Sequence, residues 1–179
     1  LFFDLEFALL AGIITSLFFY LERTSKPNIA VLGLNNMGRF INKERDLELK
    51  ECSNLKIIRI DGSLYFGSIE KIEDFISKLY DTNKIQHLLI SAEGINFIDL
   101  AAAEWLSNEV LKWQKNRGGI YITGLKIVSQ DVLQKGGFID KMGASVFFKD
   151  KKSAISLIHA KLDKPCEEKV FEECKLKIN

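Results

Sequence analysis

One acid sits where an α/β protein would place a working residue. In the stretch Leu88–Leu106, LLISAEGINFIDLAAAEWL, an apolar run of strand length leads to a turn at Gly94. A second apolar step, Ile95 to Ile98, ends on Asp99, and residues of helical period come next. Asp at such a junction is a strong N-cap, because its carboxylate accepts bonds from the first free backbone N–H groups. Helix N-termini are also natural anion sites. Asp99, Leu100, Ala101 and Ala102 therefore form the candidate site, for contact with an anion, a nucleotide phosphate or a protein partner. The residues after Asp99 are Leu100, Ala101, Ala102 and Ala103, and none carries a nucleophile. A functional acid would need a partner base or a metal, whereas a cap needs only backbone N–H groups, so capping is the favoured role.

The other reactive side chains are scattered. His87 and His159 are far apart, and neither stands in an HExxH or CxxC pattern, so no metal site is expected. The three cysteines, Cys52, Cys166 and Cys174, are odd in number and sparse, which argues against a secreted disulfide scaffold. Cys166 and Cys174 read as reduced thiols. No paired nucleophile and base is evident, so no enzyme is expected. No cofactor is expected either, since the GxxxxGK[ST] loop is missing and Asp99 would repel a phosphate. With 179 residues, 47% hydrophobic and 27% charged, the chain can bury a core. A net charge of +1 gives no field that would draw nucleic acid.

The elements that would hold this junction alternate. Ile29–Leu34 reads as a short buried strand, and 35–54 as a loop holding a short edge piece. Leu55–Ile60 reads as a strand closed by an Asp61–Gly62 turn. Ser68 is expected to cap a helix with Ile69, Ile72, Ile76 and Leu79 on one face, its charged side solvated. His87–Ile90 is a central strand, apolar on both faces. Ala103, Leu106, Val110 and Trp113 form the stripe of the helix after Asp99, which ends at Gly118–Gly119. Trp113 belongs to the core, and Trp105 to a partly exposed position. Ile120–Ile122 is another strand. Ser129 is expected to cap a short helix ended by Gly136–Gly137, Ser145–Phe148 a last strand, and Asp150 to open a helix with Ile155, Ile158 and Leu162. Such alternation implies a mostly parallel sheet of about four strands, with helices chiefly on one face.

The N-terminal segment differs from the rest. No charge interrupts Phe7–Leu21, and Arg23 and Lys26 come directly after it. The run falls short of the about 20 residues that a full span needs. It reads as the end of a membrane helix in a chain that begins inside a longer protein. A buried core helix is the competing reading, and an acidic start argues against a signal peptide. The basic flank favours the cytoplasmic side for the chain beyond Lys26. Pro27 then starts extended chain.

Four stretches in this order resemble a known family. They are PNIAVLG directly after the apolar helix, RIDGSLYFGSIEKI at Arg59–Ile72, GINFIDLAAAEWL at Gly94–Leu106, and GGFIDKMG at Gly136–Gly143. Together they look like the STAS domain that follows the last membrane helix of SulP-type anion permeases. GGFIDKMG would be the short loop before the final strand, and CEEKVFEEC at Cys166–Cys174 resembles bacterial tails. The resemblance implies an α/β, anti-sigma-factor-antagonist-like domain with a mixed, mostly parallel sheet and four to five helices, preceded by a membrane helix end. It divides the chain into 1–26, the helix end and linker; 27–162, the domain; and 163–179, a tail.

The implied function is that of a cytoplasmic regulatory module in an inner-membrane transporter of sulfate, bicarbonate or related anions. Its partners would be its own transmembrane domain, a second copy in a homodimer, and a cytosolic regulatory protein; residues 1–21 would contact the membrane, and no nucleic acid is implied. The alternative is a free-standing antagonist of an anti-sigma factor. In that branch of the family a Ser or Thr after the junction Asp is phosphorylated. Ala101 stands at that position here and Ala102 where a Gly follows, so the switch hydroxyl is missing. Ser91 and Glu93 fall where many relatives have Asp and Ser. Ser63 and Ser68 remain open as other phosphorylation sites.

Overall fold

In a computed structural model, the described residues are 5–162 apart from 25, 36, 47, 48, 50, 84 and 117. The first helix, α1 (Leu5–Thr24), has 20 residues and is exposed from Leu5 to Arg23. Its segment Leu5–Arg23 is long and apolar enough to cross a membrane, and none of it is buried.

The rest is a seven-stranded sheet built around the apolar runs. Its order is β2 (Phe40–Asn42), β1 (Asn28–Leu34), β3 (Leu55–Leu64), β4 (His87–Ser91), β6 (Gly119–Thr123) and β7 (Phe147–Phe148), with β5 (Ile95–Ile98) paired to the far end of β3. β1 runs antiparallel to β2 and β3; β3, β4, β6 and β7 are mutually parallel, as is β5 to β3. Beside the four longer strands, β2 is the edge piece expected within 35–54, and β7 is only the second half of the expected strand Ser145–Phe148, since Ala144–Val146 forms a 3-10 turn; β5 is the short strand that the sequence shows only as an apolar step.

Side chains alternate between two cores, as the two-residue strand period requires. Ile58, Leu88, Ile90, Ile120 and Ile122 pack under α2 (Phe66–Asn83), α3 (Leu100–Asn116), α4 (Ile127–Lys135) and α5 (Phe138–Met142). Leu55, Ile57, Leu89 and Tyr121 pack on the opposite face under α6 (Lys151–Lys161) through Ala154, Ile155 and Ile158. The helix stripes hold: Ile72, Ile76, Ala103, Leu106, Val110 and Trp113 are all buried.

Four local readings are corrected. Asp61–Gly62 is not a turn: β3 runs through it to Leu64, because its pairing passes from β4 to β5 there and Gly62 N–H donates to Gly94 O at 3.0 Å. α2 starts at Phe66, two residues before Ser68, whose hydroxyl instead bonds back to both backbone groups of Tyr65. Ser129 does not cap α4, which begins at Ile127; Ser129 is buried within it. GGFIDKMG is not a loop but holds the five-residue α5, set between Gly137 (φ 71°) and Gly143 (φ 88°), left-handed positions that suit glycine. Asp150 does cap α6, its carboxylate accepting Ser153 N–H at 2.9 Å.

Candidate functional site

Asp99 lies between β5 and α3, and its carboxylate is fully engaged by backbone. One oxygen accepts the N–H of Ala102 at 2.8 Å, which caps α3. The other accepts the N–H of Phe66 at 3.0 Å, the first residue of α2. Its own N–H donates to Leu64 O at 2.9 Å. A single carboxylate thus satisfies orphan donors at two helix N-termini, the groups that would otherwise draw an anion.

The four expected site residues divide by helical geometry. Leu100 and Ala101 face solvent, while Ala102 is completely buried beside Ala103. The surface at this junction therefore presents Leu100 and the methyl group of Ala101.

A wider surface surrounds them that sequence reasoning missed. Phe66, Leu100 and Ile127 are each the first residue of a helix, α2, α3 and α4 respectively, and each is more than 60% exposed. Phe97 and Val128 are exposed beside them. Tyr65 and Phe97 stack at 6.4 Å between ring centres, and the ammonium of Lys126 bonds the side chain of Asn96 at 3.0 Å, linking the start of α4 to β5. The signal was present in the sequence: a large apolar residue at the first position of a helix, outside its buried stripe.

This apolar surface lies at one end of the sheet. The parallel strands β3, β4 and β6 all point their carboxyl ends there, so the helices after them begin there. The antiparallel strand β1 enters at the same end, Asn28 pairing with Asp61. Lys71 of α2 donates to Pro27 O at 2.9 Å. The chain leaving α1 thus joins the domain at the edge that carries the exposed apolar residues.

Elsewhere the titratable groups serve packing. Half-buried Glu51 pairs with Lys56 and, at 3.0 Å, with Lys43. Burial alone would raise its carboxyl, but bonds from Lys56 and Lys43 outweigh it and hold the group below its ordinary range. Burial raises the Tyr121 phenol. His87 and His159 are buried, His87 stacking against Tyr121 at 5.8 Å. Trp113 is buried with its indole N–H on Glu109 at 2.9 Å, and Trp105 is half-buried. Cys52 is buried and disulfide-bonded, a bond that the reading of reduced thiols did not include. Cys166 and Cys174 lie outside the described residues. Among the described residues no cluster of three His, Cys, Asp or Glu side chains could hold a metal.

Comparison with known proteins agrees with this architecture. The family model for the STAS domain matches residues 46–154. The putative sulfate transporter YvdB of Bacillus subtilis (strain 168) is 25% identical over 148 residues, covering 82% of this chain and 26% of its own length. The chain thus spans about a quarter of that relative. Murine Slc26a9, an anion transporter solved in the inward-facing state, superimposes with a TM-score of 0.77 at 19% identity, over 89% of this chain and 26% of its own. The unphosphorylated anti-sigma factor antagonist SpoIIAA shares the fold at a TM-score of 0.51 and 16% identity, over 64% of this chain and 96% of its own. With a mixed sheet covered by helices, a carboxylate at the strand-to-helix junction and a family model matched across most of the sheet, this chain belongs to the STAS domain family, and sulfate transporters are among its relatives.

Proposed function

We propose that this domain is the cytoplasmic regulatory module of a SulP-type anion transporter in the cell inner membrane, without catalysis of its own. α1 is the end of the last membrane span, residues 27–162 form the module, and 163–179 its tail. The surface at the starts of α2, α3 and α4 is where it meets its partner, and that partner is the transporter's own membrane-embedded part. One observation carries this reading: the exposed apolar residues Phe66, Phe97, Leu100, Ile127 and Val128 gather at the end of the sheet where the chain arrives from α1. Apolar patches of this kind on a small domain mark contact sites. Asp99 shapes the surface by capping both helices. Ala101 removes the hydroxyl through which related switches are controlled, so contact here is not gated by phosphorylation at that position. The transporter works as a homodimer, which brings two such surfaces near the membrane.

The test is transport by the full-length protein in proteoliposomes, using whichever of sulfate, bicarbonate and dicarboxylate the wild type carries. Phe97→Asp combined with Leu100→Asp leaves the protein folded, since both sites are exposed, and reduces uptake severalfold. Unchanged uptake at equal protein content would overturn the proposal.

A further inference from the structure

A second site lies away from the Asp99 junction, at the opposite end of the sheet order from β1 and β2. A cavity of about 360 Å³ opens outside the carboxyl ends of β6 and β7. Its walls are hydrocarbon: Ile122 of β6, Leu125 of the adjoining loop, Ile139 of α5, and Phe147 and Phe148 of β7. Ile122 and Phe147 are register partners in the parallel pair, so the floor of the cavity is sheet rather than loop. Ile139 is delivered by α5, which the glycines at 137 and 143 hold at a fixed turn on either side.

Two polar side chains join these walls, Gln130 and Lys149. The Gln130 amide N–H donates to Leu125 O at 2.7 Å, which orients the group and leaves its carbonyl oxygen as an acceptor. Among the described residues Lys149 has no ion-pair partner. The neighbouring acid, Asp150, is committed to the N–H of Ser153. The site therefore combines an apolar body, one exposed cation that is outside any ion pair and only partly balanced by the neighbouring Asp150, and one acceptor. Its volume is within the roughly 300–1,000 Å³ typical of small-molecule pockets.

We propose that this pocket binds a small amphiphilic organic anion, with an aromatic or short alkyl body against the five apolar walls and its carboxylate paired with Lys149. An inorganic oxyanion such as sulfate does not fit this chemistry. It would lose hydration against hydrocarbon and find a single cation in return. The site is thus distinct from any path for a transported inorganic anion, and it makes the domain responsive to an organic acid. The inference does not rest on the apolar surface around Asp99.

The experiment uses the whole chain held in lipid nanodiscs through α1, titrated with 4-phenylbutanoate, with the uncharged 4-phenylbutan-1-ol, and with sulfate. Binding is read from backbone amide shifts. Both phenyl compounds shift the amides of Ile122, Ile139 and Phe148 saturably, and sulfate does not. Lys149→Gln weakens the carboxylate about fivefold, as expected for one partly exposed ion pair, and leaves the alcohol unchanged. Ala144→Phe, a substitution at an exposed position on the rim, blocks both compounds. The absence of saturable shifts, sulfate shifting the same amides, equal loss of both compounds in Lys149→Gln, or undiminished binding in Ala144→Phe would each overturn the proposal.

Discussion

Asp99 holds Phe66 across 33 positions of chain: its carboxylate accepts the Phe66 N–H at 3.0 Å while its other oxygen caps α3 through Ala102. Two helices that begin after different strands are thereby pinned to one side chain. The exposed rings and aliphatic groups at their starts are pinned with them.

The first prediction concerns that shared cap. Asp99→Ala removes both bonds, and at about 1 kcal/mol per lost cap it should destabilise the protein by about 2 kcal/mol. Asp99→Asn keeps one acceptor oxygen and should lose about half as much. Urea denaturation checks both values; equal losses would mean that only one of the two bonds matters.

A second prediction contrasts neighbours on the first turn of α3. Ala101 is exposed and Ala102 is fully buried. Ala101→Ser should change stability by less than about 0.5 kcal/mol. Ala102→Ser buries a hydroxyl without a partner and should cost about 1–3 kcal/mol. Equal effects in thermal unfolding would mean that the helix is rotated about its axis, with both positions at the same depth.

Two glycines give the third. At Gly94 an added Cβ would meet Ile60 O at 2.7 Å and the Asp61 side chain closer still, at the point where β3 changes partner. Gly94→Ala should cost about 2 kcal/mol or more through overpacking. At Gly137 there is open space but φ is +71°, so Gly137→Ala should cost only the left-handed penalty of about 1–2 kcal/mol. Denaturant midpoints with unchanged slopes would separate the two.

The fourth is a pH dependence. The folded-state pKa of Glu51 lies below its ordinary value of 4.5, so the unfolded chain binds a proton more readily than the folded one. The stabilisation is therefore complete above about pH 4.5 and is lost as the pH falls through the folded value. Glu51→Gln should flatten this acid limb of the stability profile. It should also destabilise the protein at neutral pH, because Lys56 is left buried without its counter-charge. An unchanged acid limb in the variant would assign it to other carboxylates.

Features that the local chain decides were legible in the sequence. The stripes of α2 and α3 follow from spacing alone, and Asp99 and Asp150 mark helix starts because a cap acts within three residues. Features that depend on distant partners were not legible. The Asp61–Gly62 pair carries a turn signal, yet β5 and the carbonyl of Gly94 extend the strand through it. Ser68 and Ser129 have the chemistry of caps, but their helices begin two residues earlier, with Phe66 held by Asp99 and Ile127 preceded by an extended Lys126. At the site, the cap was legible and its second helix was not, since no sequence pattern links Asp99 to a donor 33 residues away.

Photo-crosslinking from position 100 in the assembled transporter tests most directly where the domain docks. Leu100 is replaced by benzoylphenylalanine in the full-length protein in membranes, with Glu73, exposed on α2, as the control position. Docking through the apolar surface at the helix starts predicts adducts from position 100 to peptides of the membrane-embedded part and none from position 73. Adducts from position 100 only to lipid or to unrelated proteins, or adducts to the membrane part from both positions alike, would contradict it.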